Sequence, residues 1–185
     1  MRKIYFATTN EDKIREAKAI LDVDVVGTDI EIDEIQSLDP VVVAIAKARA
    51  YHQKLKKPIF VEDGSASFKA LNTLPGPYLK DFYEALGNDG LCKLLNGKKR
   101  DAVVRVVIVF IDSKNKEHVF TGEVEGEIVA KPRGKKGWGW DPVFRPKGSR
   151  KTFGEMTMNE KNKYSMRAIA LQHFKKWLDY ENSLE

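Results

Sequence analysis

Three acidic residues, Glu34, Glu62 and Asp63, are the strongest candidates for chemistry in this sequence. Carboxylates that gather in one place repel one another unless a proton or a cation lies between them. Hard oxygen ligands of this kind suit Mg²⁺, especially when the phosphates of a substrate complete its coordination shell. Asp63 lies between an apolar run and a glycine, which favours a functional role. Glu34 and Glu62 are equally well explained as solvated acids.

A second candidate is the polar segment between a predicted strand and a predicted helix. Free backbone N–H groups and the helix dipole favour an anion there, and Lys13 adds a full positive charge. The segment lacks the glycines and the Lys-Ser/Thr pair of a P-loop. Taken alone, it is more simply an ordinary capped helix, but it could hold phosphate. Its residues are Thr8, Thr9, Asn10, Glu11, Asp12 and Lys13.

A third candidate is the segment 134–142, in which two tryptophans stand among glycines and two lysines. Glycine contributes little to a core and is costly to order, so this segment suits stacking on a planar base better than core packing. We expect Trp138 to be the stacking platform and the lysines to meet phosphates. Asp141 either accepts hydrogen bonds from a base edge or anchors the loop.

The positive charge is concentrated in the same region. The chain has 32 Lys and Arg against 27 Asp and Glu, and residues 131–151 hold eight of the basic residues but only one acid. Clustered charge focuses the electrostatic potential and indicates an anionic partner. Nucleic acid, a phosphorylated small molecule and simple solubility all remain compatible with it.

Composition excludes several classes of protein. With 185 residues, 42% of them hydrophobic, the chain can bury a substantial core, and its apolar runs are too short to cross a bilayer of roughly 30 Å. The N-terminus lacks the apolar core of a signal peptide, so we expect a cytoplasmic protein. Cys92 has no partner for a disulfide and is expected to be buried. The three histidines do not have zinc-ligand spacing.

The elements that position these residues can be predicted from local patterns. Polar caps and helical spacing favour two helices, one starting after Asn10 and one opening at Asp39-Pro40. The β-α-β rhythm predicts an α/β sheet with parallel neighbours and a ligand crevice at the carboxyl ends of its strands. The predicted strands are 4–7, 23–26, an alternating 30–35, and 59–61, which delivers Glu62 and Asp63 to its end.

The second half has a different pattern. We predict a rigid loop at 74–78, two short helices in 81–95 broken at 87–90, and a hairpin of strands 102–111 and 117–121. A capping box at Thr157 and Glu160 precedes a last helix that starts after Ser165. Its apolar stripe is expected to face the core, at Met166, Ile169, Ala170, Phe174, Trp177 and Leu178.

Six motifs, in order along nearly the whole chain, resemble the inosine triphosphate pyrophosphatase family. They are Thr8-Thr9-Asn10-x-x-Lys13, Ala46-Lys47-Ala48-Arg49, Glu62-Asp63, Leu74-Pro75-Gly76-Pro77-Tyr78-Leu79-Lys80, Trp138-Gly139-Trp140-Asp141-Pro142 and Glu160-Lys161-Asn162-x-x-Ser165-x-Arg167. The resemblance implies hydrolysis of ITP, dITP and XTP to the monophosphate and pyrophosphate, with Mg²⁺ as cofactor and Mn²⁺ as its alternative, usually in a homodimer. It also implies a single domain over 1–185, with an elongated mixed sheet flanked by helices and two lobes around a central nucleotide-binding cleft.

The resemblance implies roles for individual residues. Asp63 would be catalytic, and Glu34 and Asp63 would bind the metal. Those implied to bind the triphosphate are Thr8, Thr9, Asn10, Lys13 and Lys47. Those implied to contact the rest of the substrate are Gly64, Lys80, Trp138, Gly139, Trp140, Asp141, Lys161, Met166 and Arg167.

The sequence departs from the family pattern at three places. Met166 stands where the family commonly has histidine, which predicts weaker base discrimination. The hydroxyl after Asp63 moves one residue along, to Ser65, and Thr9 replaces a glycine or serine. Three other functions remain open: a related pyrophosphatase for other modified bases, such as the septum-inhibitor type, a single-stranded nucleic-acid-binding module, and a nucleotide sensor without turnover.

Overall fold

The structure is a computed structural model that describes residues 3–183. Its helices and strands are β1 (Lys3–Phe6), α1 (Glu11–Leu21), β2 (Asp24–Gly27), α2 (Pro40–Leu55), β3 (Ile59–Phe68), β4 (Pro75–Gly76), α3 (Leu79–Lys93), β5 (Asp101–Ile111), β6 (Glu117–Ile128), β7 (Phe144–Pro146), α4 (Met158–Asn162) and α5 (Met166–Asn182). Within this range no helix combines the length and the apolar character needed to span a bilayer.

The seven strands of the described residues form a mixed sheet. Hydrogen-bonded neighbours follow the order β2, β1, β3, β5, β6, β7, and β4 pairs with β3. Strand β1 runs parallel to β2, with Lys3 opposite Asp24, and parallel to β3, with Tyr5 opposite Ile59. The pairs β3/β4 and β6/β7 are antiparallel. The predicted α/β sheet with parallel N-terminal neighbours is therefore confirmed.

The chain divides into two compact units. Among the described residues, the first unit comprises 3–63, 106–122 and 167–183, and the second comprises 64–105 and 123–166.

Aromatic and small apolar side chains build the core of the first unit. Phe6 and Phe60 stack with ring centroids 4.2 Å apart, and Phe174 of α5 meets Phe60 edge-on at 5.5 Å. On α2, Ala44 and Ala48 are fully buried, and they cluster with apolar residues of β3 and β5. Small residues let a helix approach a sheet closely, and this anchors the helices that carry the charged side chains described below.

Local signals explain where the helices begin. The Asn10 side chain accepts the backbone N–H groups of Asp12 and Lys13, and Asp39 accepts that of Val41 at 2.8 Å. These contacts satisfy N–H groups that an isolated helix start leaves unpaired. The capping box predicted at Thr157 is also present and opens α4.

In the second unit, Arg100 connects several backbone segments. Its guanidinium donates to the carbonyls of Cys92 in the last turn of α3 and of Leu95 just after it, and to those of Ile128 and Val129 where β6 ends. Cys92 is 2% exposed, which confirms the prediction that it is buried.

Four sequence predictions require correction. Residues 30–35 form no strand, and the acidic side chains of this segment are exposed. Strand β3 continues to Phe68, so Glu62 and Asp63 lie inside it and not beyond its end. The return strand of the hairpin extends to Ile128. The predicted break in the helical stretch after residue 78 is confirmed, because α3 is interrupted at Gly87. The loop 74–78 contains the short strand β4.

Candidate active site

Charged side chains from four elements meet in the first unit. Strand β3 supplies Glu62 and Asp63, whose side chains point to opposite faces of the sheet because successive strand residues alternate. Glu62 contacts Lys13 of α1 and Arg167 of α5, whereas Asp63 contacts Lys47 of α2. We call these residues, together with Glu16 and Glu34, the ion-pair cluster.

Glu62 is the most buried member of the ion-pair cluster, with 5% of its side chain exposed. Arg167 donates two hydrogen bonds to its carboxylate, from Nε at 2.6 Å and Nη2 at 2.9 Å, and Lys13 Nζ lies 3.1 Å away. Burial opposes ionisation, but the charges and hydrogen bonds of Arg167 and Lys13 outweigh it and lower the pKa of Glu62 to about 2. The interpretation of Glu62 as a solvated acid is therefore wrong.

Arg167 also binds a residue that the sequence analysis did not select. Its Nη1 donates to Glu16 Oε2 at 3.2 Å. Burial would lower the pKa of Arg167, but Glu62 and Glu16 outweigh burial and raise it above its ordinary value. Glu16 follows Lys13 by three positions on α1, so helical spacing could have identified it as a neighbour. Three guanidinium N–H groups are thus engaged by carboxylates, which leaves two for other partners.

Asp63 lies in a different electrostatic environment. Its side chain is 15% exposed, and Lys47 Nζ lies 3.8 Å from it and 2.7 Å from Glu34 Oε1. Burial raises the pKa of Asp63 to about 6, with Glu34 and Glu62 adding to the rise and Lys47 and Lys13 opposing it. Asp63 therefore gains or loses a proton near neutral pH.

Glu34 and Asp63 converge on one ammonium group, so both carboxylates can reach a single cation. Mg²⁺ is commonly held by one or two carboxylates, with water and substrate phosphates as its remaining ligands. Residues 3–183 contain no group of three or more His, Cys, Asp or Glu side chains arranged to hold a metal. The two carboxylates fit an ion whose shell a bound substrate completes, and do not fit a metal held by protein ligands alone.

The predicted phosphate segment forms the turn between β1 and α1. Asn10 caps α1 with its side-chain oxygen, so only its NH₂ group remains for a ligand. Thr8 Oγ1 accepts the backbone N–H of Asn10 at 3.2 Å, and Thr9 is exposed. Thr8 and Thr9 line a cavity of about 410 Å³ with Gly27, where a side chain would collide with Ile14 and the Thr8 carbonyl.

In the second unit, residues 134–141 form the tryptophan loop. Asp141 is 2% exposed, and its Oδ2 accepts the backbone N–H of Trp138 at 2.6 Å and a hydrogen bond from Lys161 Nζ at 2.5 Å. Gly137 has φ of 78°, and a Cβ there would collide with the Asp141 carboxylate. Of the two roles considered for Asp141, the geometry supports the loop anchor.

The two tryptophans differ in environment. Trp138 is 50% exposed, whereas Trp140 packs edge-on against Phe144 with ring centroids 6.2 Å apart. Only Trp138 therefore presents an indole face that is open enough to stack on a ligand. Gly139, between them, accepts a hydrogen bond from Asn88 of α3 at 2.9 Å. The sequence gives no signal for this contact because 51 positions separate the two residues.

Three further predicted residues are not members of the ion-pair cluster or of the tryptophan loop. Lys80 has 83% of its side chain exposed and lies 3.8 Å from Glu84, one turn along α3. Gly64 is exposed on β3, and Met166 is 7% exposed at the start of α5. Their proposed substrate contacts remain predictions.

Half of the basic residues of segment 131–151 are neutralised by acids of the same unit. Such compensation weakens the field that the segment could offer to a polyanion. The pairs are Arg133 with Glu155 (3.6 Å), Arg145 with Glu127 (2.8 Å), Lys147 with Glu125 (3.0 Å) and Lys151 with Glu160 (2.7 Å).

Comparison with known proteins agrees with the resemblance inferred from the motifs. The chain is 38% identical over 186 aligned positions to a dITP/XTP pyrophosphatase of Methanopyrus kandleri, covering 98% of each chain. It is 40% identical over 184 positions to an inosine triphosphate pyrophosphatase of Emericella nidulans, covering 96% of this chain and 97% of that one.

Solved structures give the same result. The fold matches a HAM1 protein from Coxiella burnetii, with a TM-score of 0.86 and 27% identity, and the Ham1 protein of Staphylococcus aureus, with 0.83 and 29%. Each match covers 97% of this chain and 100% of the other. The sequence profile of the Ham1 family matches residues 4–177, and the chain therefore belongs to the Ham1 family.

Proposed function

We propose that this protein is a nucleoside triphosphate pyrophosphatase that hydrolyses ITP, dITP and XTP to the monophosphate and pyrophosphate. The observation that carries the proposal is the environment of Asp63. Its carboxyl group is mostly buried, its pKa is raised to about 6, and it lies beside the Lys47 ammonium group that also pairs with Glu34. A titrating group near neutral pH beside cationic side chains suits proton transfer next to a phosphate. The substrate names of the curated relatives support the same activity.

Mg²⁺ is the proposed cofactor, with Glu34 and Asp63 as its protein ligands and Mn²⁺ as an alternative. When bound, such an ion neutralises phosphate charge and makes phosphorus more open to attack. Support comes from the convergence of the two carboxylates on one cationic group.

The residues of the first unit have separate roles in the proposed mechanism. Lys13 and Lys47, assisted by Thr8, Thr9 and Asn10, bind the triphosphate. Asp63 accepts a proton from a water molecule as the water oxygen attacks the α-phosphorus. The bond from the α-phosphorus to the oxygen bridging it to the β-phosphate breaks, and pyrophosphate leaves with that oxygen. The lysines stabilise the charge that develops on pyrophosphate, a preorganised electrostatic contribution that we expect to exceed general-base assistance.

In the second unit, Trp138 is the proposed stacking platform for the purine, and Asp141 and Lys161 hold its loop in place. Lys80, Gly64, Gly139, Trp140 and Met166 remain proposed contacts of the substrate. Arg167 has two N–H donors that are not engaged by Glu16 or Glu62, and these could meet a 6-keto oxygen. A 6-amino group would face these donors unpaired, which costs about 1–3 kcal/mol for each buried polar group.

Pyrophosphate release from ITP, dITP, XTP, GTP and ATP, each with and without EDTA, tests the proposal. We expect turnover of the first three, slower turnover of GTP and ATP, and loss of all activity with EDTA that returns on adding Mg²⁺. With methionine at position 166, we expect the preference for ITP over GTP to be on the order of 10–100-fold, as one or two hydrogen bonds would give. Release of phosphate without pyrophosphate, or binding without turnover, would exclude a pyrophosphatase.

We also propose that the enzyme works in the cytoplasm as a homodimer. Support for the cytoplasm comes from a single cysteine, since oxidising compartments favour disulfide-linked chains. The homodimer is implied by the family resemblance, and light scattering coupled to gel filtration measures it.

A further inference from the structure

Helix α3 holds the tryptophan loop through two side chains. Asn88 Nδ2 donates to the Gly139 carbonyl at 2.9 Å, and the ring of Tyr83 lies against the same glycine, about 3.5 Å from where a Cβ would stand. Asp141 holds the loop separately, through the backbone N–H of Trp138. The backbone that carries the exposed indole of Trp138 is thus held at two points, the N–H of Trp138 itself and the carbonyl of Gly139.

The course of α3 explains how Asn88 reaches the loop. Gly87 has φ of 63° and ψ of −179°, outside the helical region, so the helix direction is interrupted just before Asn88. A side chain at position 87 would meet no atom within 4 Å, so glycine is needed there for its backbone conformation and not for space. The interruption gives Asn88 a direction that an unbroken helix would not.

The two ends of the Asn88 side-chain amide differ in their partners. Its Oδ1 is buried and has no hydrogen-bond partner among the described residues. Buried acceptors without partners are rare because they are unfavourable, and each one calls for an explanation. The Gly139 carbonyl can only accept, so it fixes the amide orientation with Nδ2 toward the loop.

We infer that Asn88 is a positioning residue that fixes the indole of Trp138 in the orientation that stacks on the purine base of the substrate. This inference rests on the proposed function and extends it by adding a residue of α3 that does not touch the substrate. A platform held in place before binding loses less conformational freedom when the base arrives. Loss of the Asn88 hydrogen bond therefore weakens binding of every purine nucleotide and leaves the hydrolytic step unchanged.

A double-mutant cycle between positions 88 and 138 tests the inference through KM and kcat for ITP. Asn88→Ala and the near-isosteric Asn88→Asp each lose the donor, and both should raise KM roughly five- to tenfold with little change in kcat. Trp138→Ala should raise KM about tenfold or more through the lost stacking. If Asn88 acts through Trp138, Asn88→Ala adds less than about a further twofold in the Trp138→Ala background.

Asp89→Asn is the matched control, since Asp89 is the exposed neighbour of Asn88 on the same helix and should leave KM unchanged. Deuterium uptake in a peptide spanning 134–141 is a readout independent of activity, and it should rise in Asn88→Ala and not in Asp89→Asn. Multiplicative effects in the cycle, a fall in kcat with KM unchanged, or unaltered uptake would each overturn the inference.

The same data separate this inference from the proposed function. If the wild-type protein hydrolyses ITP but the two positions act independently, the positioning role is wrong and the pyrophosphatase assignment stands. If no nucleotide releases pyrophosphate, the proposed function fails and the stacking role of Trp138 fails with it, whatever the uptake measurement shows for the Asn88 contact.

Discussion

Glu62 and Asp63 are consecutive residues of β3 with opposite proton affinities. Both are substantially buried, which alone would raise both pKa values. The alternation of a strand gives Glu62 the guanidinium of Arg167 and the ammonium of Lys13, whereas Asp63 has Lys47 at 3.8 Å, shared with Glu34. Glu62 is thereby kept ionised, whereas the pKa of Asp63 is raised to about 6. This difference suits a structural role for Glu62 and a reactive role for Asp63.

The first residue-scale prediction concerns Asp63→Asn. The amide cannot accept the water proton or bind a cation as a carboxylate does, so turnover of ITP should fall by at least about 10²-fold. Nucleotide binding through Lys13 and Lys47 should be largely retained. Single-turnover assays and calorimetric titration with ITP measure the two properties. The exposed Asp179→Asn serves as the control, and an active Asp63→Asn variant would show that the role assignment is wrong.

A second prediction separates the anchor of the tryptophan loop from surface ion pairs. Asp141→Asn leaves Lys161, whose side chain is 14% exposed, without its carboxylate, and should lower the free energy of unfolding by about 3 kcal/mol. Glu125→Gln breaks the exposed pair with Lys147 and should change the free energy of unfolding little. Urea denaturation of both variants measures the contrast, and equal losses would contradict it.

At the scale of elements, local signals predicted helices better than strands. Asn10, Asp39 and Thr157 have a chemical role as caps that depends only on the residues immediately following them, and all three helix starts were predicted correctly. The alternating segment 30–35 failed as a strand because its acidic residues face solvent and no neighbouring strand pairs with it. Whether a segment becomes a strand depends on pairing with distant parts of the chain, and local periodicity carries no information about those partners.

The turn between β5 and β6 gives a prediction at this scale. Asp112 accepts the backbone N–H groups of Lys114 and Lys116 and lies 2.9 Å from His118 Nε2. Burial opposes ionisation, but the hydrogen bonds from His118, Lys116 and Lys114 outweigh it and lower the pKa of Asp112. The carboxylate therefore stabilises the folded state above the unfolded pKa of about 3.9, and this contribution is lost as pH falls through the lower folded value.

Asp112→Asn should accordingly be less stable than the wild type at pH 6. The difference should shrink as the pH is lowered below about 4, because the wild type loses the same contribution there. Urea denaturation between pH 2.5 and pH 6 measures it. A difference that does not change with pH would mean that ionisation of Asp112 does not stabilise the hairpin turn.

At the scale of the molecule, the sequence identified functional residue types but not their partners. Lys13, Lys47 and Asp63 were predicted from motifs. The fold adds their ion-pair partners, since Lys13 contacts Glu62 and Lys47 contacts Asp63. The contact of Arg167 with Glu16 joins residues 151 positions apart, and no local pattern contains it. The predicted central cleft stays a prediction.

Charge over the whole molecule decides between a nucleotide enzyme and a nucleic-acid-binding module. A polyanion needs several unpaired cations along one surface, and binding then weakens steeply with salt as counterions are released. Here four of the eight basic residues of segment 131–151 are paired with acids of the same unit, and Trp138 is the only tryptophan of that segment with a largely exposed ring.

Fluorescence anisotropy with a labelled single-stranded oligonucleotide at 50 and 200 mM salt should show binding no tighter than the non-specific range of about 10⁻⁴–10⁻⁶ M. Tight binding that needs no divalent ion and falls steeply with salt would instead favour the nucleic-acid module.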